Sequence, residues 1–366
     1  MAFIDLASYG TQRKMREIRE FGELSPVKFG FKSWNDYDKG KLIQGSRKVT
    51  LLIGGEPNHG KSQFANELVM QMIEKHGFRV ALFTTESGDV EKVFSYFCSM
   101  YQGKPYTKVR PDGKPNGYAM SDAEADEAEA FLMDKLCVFK QNRRESAYQS
   151  LENIYKQLAD AENHYGFKFD SLVIDPVYDV DDFEPKAEEV LRILNRFNLE
   201  AEENNRFDIM VNHVAETAKY TRKDGKRVKL IALADEFYGG KNNQRKAMLM
   251  LLVHRPDPTV DENGKWLDPD NTETVVRPNQ TNVHVLKIKP EGMAKWGIYD
   301  IYYDWKRRRY YEMYDTENGC VTQFADCTKF FNEKPNISTE KITATPEEAF
   351  GNEYEQGYDD DDGMPF

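Results

Sequence analysis

Apolar residues in this chain arrive as short β-branched runs separated by longer stretches with helical spacing. VTLLI (49–53) is hydrophobic from end to end and runs straight into a glycine-rich turn. From Gln63 to Lys75, Phe64, Leu68 and Met72 fall on one helical stripe, with Ala65, Val69 and Ile73 beside it. RVALFTT (79–85), KLCVFK (135–140), SLVID (171–175) and FDIMVNH (207–213) read as further strands. Val190, Leu191, Leu194, Phe197 and Ala201 keep helical spacing between the last two. Strands apolar on both faces, alternating with helices, predict an α/β fold with a mainly parallel sheet covered on both sides. Beyond it, KAMLMLLVHR (246–255), VHVLKIK (283–289) and GIYDIYYDW (297–305) predict a strand-rich C-terminal part.

Four segments follow from this pattern. Residues 1–29 hold a short basic helix, at 8–21, before the breakers Pro26 and Gly30. Residues 30–315 form the α/β core, in which 102–120 reads as a loop and Ser121 caps an Ala/Glu-rich helix. Residues 316–345 are an extension, and 346–366 an acidic tail so poor in aliphatics that disorder is expected.

Composition changes this picture in three places. A hydrophobic share of 40% is enough for a large core. Even the longest apolar runs, such as Leu249 to Val253, are too short to span a bilayer, and the first thirty residues lack a secretory h-region. No membrane partner is expected. Cys98, Cys137, Cys320 and Cys327 lack metal-type spacing and predict reduced, inert thiols. The net charge of −12 sits largely in the tail, where Glu347, Glu348, Glu353, Glu355 and Asp359 to Asp362 cluster. The remaining body is only mildly acidic, so overall charge does not exclude a nucleic-acid partner.

Gly55-Glu-Pro-Asn-His-Gly60-Lys61-Ser62 fits G-x-x-x-x-G-K-[ST], with a predicted strand before it and a helix after it. Glycines there let backbone amides turn toward phosphate oxygens, and the helix N-terminus adds positive potential. The loop predicts a P-loop nucleotide site with Gly55, Asn58, Gly60, Lys61, Ser62 and Gln63 around ATP. Lys61 bridges the β- and γ-phosphates, and the Ser62 hydroxyl ligates Mg2+. Asp175 ends SLVID, where a carboxylate can share that metal. Glu86, just past the second strand, is a candidate general base for the attacking water. His213 ends the fifth strand and is either a γ-phosphate sensor or a hydrogen-bonded strand-end residue.

Taken together, these residues resemble the RecA-fold ATPase domain of DnaB-type replicative helicases, the Twinkle-like and phage ring helicases included. GFKSWNDY (30–37), GGEPNHGKS (54–62), LFTTES (82–87), LVIDPV (172–177), VNHVAE (211–216) and FYGGKNNQRKAMLMLLVHR (237–255) carry the resemblance in order. VLKIKPEGMAKWGIYDIYYDWKRRRYY (285–311) resembles the closing strands, which bear cations acting on the neighbour's nucleotide. The resemblance covers about residues 30–312. It implies Glu86 as catalytic base, His213 as sensor, and Lys287 and Lys289 as the trans-acting cations. The family commonly has Arg at the second of these; a Lys is a point charge and lacks the bidentate fork. Arg255 and Tyr303 fall near family positions that touch the base or ribose. The resemblance further implies a homo-oligomer, a hexamer above all, in the cytoplasm of a bacterial or phage-infected cell. Of the family's N-terminal primase, zinc or collar domains none is expected in these residues, only the basic helix at 8–21.

Between His213 and Gly239, the segment AETAKYTRKDGKRVKL (215–230) sets Lys219, Arg222, Lys223, Lys226, Arg227 and Lys229 against a single Asp, and Asp224-Gly225 predicts a hairpin or flexible loop. The family uses this position to grip single-stranded DNA, and phosphate neutralisation suits a sequence-independent motor. The terminal YDDDDGMPF resembles the tips of single-stranded-DNA-binding proteins. Phe366, at the end of the Met364-Pro365-Phe366 tip, would fill an apolar pocket while its carboxylate, Asp361 and Asp362 meet basic residues around the rim. A replisome protein such as DNA polymerase, primase or another client of such tips is the partner class this suggests; a solubility tail is the simpler reading. Three functions share these residues: a replicative helicase, a RecA-like recombinase forming filaments, and an accessory or loader ATPase.

Overall fold

Ser8 accepts a hydrogen bond from the Thr11 amide and starts α1 (Tyr9–Phe21), a helix with no buried residue. The computed structural model describes residues 8–335 except 23, 37–38, 85–88, 111, 141–149, 178–179, 181–186, 215–218, 226, 257–258, 262–263, 269–270 and 317–318. After α1, β1 (Pro26–Lys28) and β2 (Gln44–Ser46) pair antiparallel on either side of a 3-10 turn that buries Trp34. The predicted alternation follows. It runs β3 (Val49–Gly55), α2 (Lys61–His76), β4 (Val80–Thr84), α3 (Val90–Gln102), α4 (Asp122–Leu132) and β5 (Leu136–Lys140). Then come α5 (Leu151–Tyr165), β6 (Ser171–Asp175), α6 (Ala187–Glu203) and β7 (Phe207–His213). Next are β8 (Lys219–Thr221), β9 (Arg227–Lys229), α7 (Lys241–Lys246) and β10 (Leu249–His254). Three short strands, β11 (Thr259–Val260), β12 (Trp266–Asp268) and β13 (Asn271–Val275), precede the last four: β14 (Gln280–Ile288), β15 (Ile298–Asp304), β16 (Arg309–Thr316) and β17 (Gly319–Phe324).

Among the described residues the main sheet has ten strands, ordered β17-β16-β15-β14-β10-β3-β7-β6-β4-β5. From β10 to β5 every neighbour is parallel; β14 to β17 extend the sheet antiparallel. Because side chains alternate along a strand, Leu51 and Ile53 join the core beneath α2, with Phe64, Leu68 and Met72. Leu52 instead joins the opposite core with Leu194, Phe197 and Met210. Burial on both faces is why the parallel strands read as unbroken apolar runs. The Ser121 cap is also present, as a reciprocal box with Glu124.

Three features lie beyond the sequence reading. β16 runs through the expected boundary at 315 and β17 pairs with it, so residues up to 324 belong to the main sheet rather than to an extension. β11, β12 and β13 join β9 and β8 in a separate five-stranded sheet. Inside the main core, fully buried Arg309 donates to Glu67 and Glu74 of α2, fastening β16 to that helix through a buried ion cluster. The tail expected to be disordered, 346–366, lies outside the described residues.

Candidate functional site

The C-terminal ends of four adjacent parallel strands converge on the glycine loop. Gly55 of β3 pairs with His213 of β7, and Thr84 of β4 with Asp175 of β6. In open parallel sheets ligands bind beyond these carboxyl ends. The loop turns on Asn58, φ 63°, and Gly60, φ 81°. Close approach adds to conformation at Gly60 and acts by itself at Gly55. A Cβ on Gly55 would lie 2.6 Å from the Val253 carbonyl oxygen, and one on Gly60 2.5 Å from a guanidinium nitrogen of Arg255.

Lys61, 6% exposed, opens α2 and donates to the Glu56 carbonyl oxygen at 2.9 Å. The same carbonyl accepts the His59 amide at 3.3 Å. The ammonium is thus held beside the loop's own backbone. Ser62 and Gln63 follow in the first turn of α2, half-buried. Asp175 is 2% exposed at the end of β6. A hydroxyl and a carboxylate are hard oxygen donors, the set that suits Mg2+, so the residues present fit that ion. Glu86 lies outside the described residues, two positions beyond Thr84, the buried last residue of β4.

His213 is tied to both neighbours of the loop. The Val214 amide donates to the Gly55 carbonyl at 3.3 Å, and the His213 carbonyl accepts the Tyr238 amide at 2.9 Å. Phe237 packs so tightly on Gly54 that a Cβ there would stand 2.2 Å from its ring. The segment between, expected to contact DNA, folds as the β8–β9 hairpin, closed by a hydrogen bond from the Gly225 amide to the Arg222 carbonyl. Arg222 and Lys223 are exposed at its tip. Lys219 and Arg227 lie in β8 and β9, and Lys226 falls outside the described residues.

Arg255 reaches the loop at Gly60. Its guanidinium donates to the Tyr310 hydroxyl at 2.7 Å and lies over the rings of Tyr303 and Trp305. Tyr303 itself is 2% exposed, with its hydroxyl 3.0 Å from that of Tyr96. The ring is enclosed by Arg255, Trp305 and Tyr310 and backs the guanidinium that borders the loop. Lys287, opposite Met250 and so four residues before the end of β10, is drawn to the Gln244 carbonyl. Burial, and then the Lys289 ammonium, lower its pKa. Neither lysine is brought to the glycine loop of its own chain.

Sequence reasoning passed over one part of the site. His59 in the loop stands 4.9 Å, ring to ring, from His254 at the end of β10. His284 of β14 lies 6.5 Å beyond. The chain has six histidines, and one falling inside the glycine loop was the available signal. Among the described residues no cluster of three or more His, Cys, Asp or Glu side chains could hold a metal ion, and no helix is long and apolar enough to cross a membrane.

A strand, glycine loop and helix, with a buried carboxylate two strands away in a mainly parallel sheet, define a RecA-like P-loop ATPase fold. Within that class the fold is that of the ATPase domains of DnaB-like replicative helicases. One solved structure, described as the ATPase domain of G40P, aligns with TM-score 0.59 and 13% identity, covering 84% of this chain and 99% of that one. A DnaB-like replicative helicase, solved in a study of its interactions with primase, aligns with TM-score 0.59 and 13% identity over 83% of this chain and 68% of that one. No family model matches the sequence, and no curated protein matches it.

Proposed function

We propose that the protein is an ATP-driven single-stranded-DNA translocase working as a replicative helicase in a homo-oligomeric, hexameric ring. The observation that carries this reading is the alignment of Gly55, Thr84, Asp175 and His213 at one sheet end, with a basic hairpin leaving the same edge. The likeness in fold to DnaB-like helicase domains supports it.

In this reading the loop amides and Lys61 bind the triphosphate, with Gly55, Asn58, Gly60 and Gln63 shaping the loop and Arg255 bordering it. Ser62 and Asp175 hold Mg2+, which neutralises charge developing on the phosphates when bound. Glu86 takes a proton from the attacking water. Lys287 and Lys289 act on the neighbouring subunit's nucleotide, and His213 passes the phosphate state to the hairpin. Lys219, Arg222, Lys223, Lys226 and Arg227 grip the DNA backbone. The tail docks a replisome protein through Asp361, Asp362, Pro365 and Phe366, and the setting is the cytoplasm.

Unwinding of a forked duplex with ATP and Mg2+ tests the reading. Wild-type protein is expected to displace the strand, and Lys61→Ala to lower both hydrolysis and unwinding about a hundredfold or more, the usual cost of losing a charged transition-state contact. Unwinding that survives Lys61→Ala contradicts a nucleotide-driven motor. In the same assay, loss of residues 346–366 leaves unwinding intact if the tail serves only to dock a partner.

A further inference from the structure

The Glu56 carbonyl oxygen serves two donors at once, the Lys61 ammonium and the His59 amide. A triphosphate in the loop takes that ammonium for its own oxygens. The carbonyl that the ammonium leaves is shared with the His59 backbone, and the His59 ring lies 4.0 Å from the Glu56 carboxylate, so His59 is positioned to register occupancy. His59 meets His254 edge to face at 4.9 Å. His254, 8% exposed, is the last residue of β10, and its Nε2 stands 3.9 Å from the Asp268 carboxylate, itself 7% exposed.

Asp268 belongs to β12, which is part of the small sheet and not of the main one. Its backbone pairs with Asn271 of β13; Asn271 pairs with Val228 of β9, and Val228 with Tyr220 of β8. From the glycine loop, three side chains and three strand pairings lead to the basic hairpin without touching His213. A narrow cleft lined by Glu56, His59, Leu230, Ile231 and His254 lies between the loop and the chain leaving β9.

We propose that the His59–His254–Asp268 contact is a second route by which occupancy of the phosphate loop reaches the basic hairpin. His254 and Asp268 are positioning residues that touch neither nucleotide nor DNA. The inference rests on the proposed function and adds a coupling element to it. His254 and Asp268 are both buried and 3.9 Å apart, and the strand pairings tie Asp268 to β9.

Coupling of this kind is read from binding rather than turnover. Anisotropy of a fluorescent oligo-dT, with and without a non-hydrolysable ATP analogue, gives the factor by which one ligand alters affinity for the other. Coupled sites typically show about fivefold or more. For the wild type a factor in that range is expected. For Asp268→Asn and His254→Phe it should fall below about twofold, while each ligand alone keeps its affinity to within about twofold. Asp268→Glu should restore the wild-type factor, which a purely structural defect would not do. His254→Phe preserves a ring against His59, so it decides the matter if Asp268→Asn melts early. Unchanged coupling in His254→Phe overturns the proposal, as does a wild type in which both ligands bind and neither affects the other. A wild type that binds neither ligand overturns the proposed function itself, a distinct outcome.

Discussion

Single residues carry the chemistry here through what surrounds them. Lys61 is buried and its ammonium is held by a backbone carbonyl of the glycine loop. Gly60 is confined twice over, by its left-handed backbone and by the guanidinium of Arg255. His284 shows the same dependence on surroundings. Burial first, and His254 second, lower its pKa from 6.5 to about 4. A histidine that resists protonation only when folded favours the unfolded chain in acid, because that chain binds the extra proton. Its contribution is therefore complete above about pH 6.5 and is lost as pH falls toward 4. Between pH 7 and 5 the loss attributable to His284 is roughly 2 kcal/mol. Urea melts at the two pH values should show it in the wild type and not in His284→Phe; an equal acid loss in both would remove His284 as the cause.

At the scale of elements, the basic hairpin was the most exposed expectation, since composition alone left hairpin and loose loop open. The structure makes it a hairpin and buttresses it with β11, β12 and β13. Those strands escaped notice because each is five residues or fewer and partly exposed, too short for a periodicity to show. A supported hairpin presents Arg222 and Lys223 at a fixed place, which suits phosphate contacts in a ring channel. Replacing both by Ala should flatten the dependence of log affinity on log salt by about 1.4, from about 0.7 per single-strand phosphate. DNA-free ATP hydrolysis should not change. A salt slope identical to wild type would take these two side chains out of the DNA contact.

At the scale of the molecule, Lys287 and Lys289 stand away from their own glycine loop, so their proposed role requires a second copy of the chain. A head-to-tail interface that closes into a ring places one subunit's residues at the next one's site. This predicts complementation. Lys61→Ala and Lys289→Ala should each hydrolyse ATP poorly alone. Mixed in equal amounts, they should recover on the order of a quarter of wild-type activity, because a random ring pairs an intact loop with an intact lysine at about one interface in four. No recovery, under conditions where subunits exchange, would mean that the lysines act within their own chain or not at all.

Local residue pattern settled much of this protein. Apolar runs buried on both faces announce a parallel sheet, and the glycine loop is legible because its chemistry is contiguous in the chain: turn, lysine, hydroxyl, helix start. What needed the third dimension is whatever depends on residues far apart in sequence. No spacing rule ties Arg309 to Glu67 and Glu74, brings His59 to His254 and Asp268, or encloses Tyr303 behind Arg255. Those contacts are fixed by the order in which strands enter the sheet, and strand order is decided by packing of the whole chain, which no local window contains.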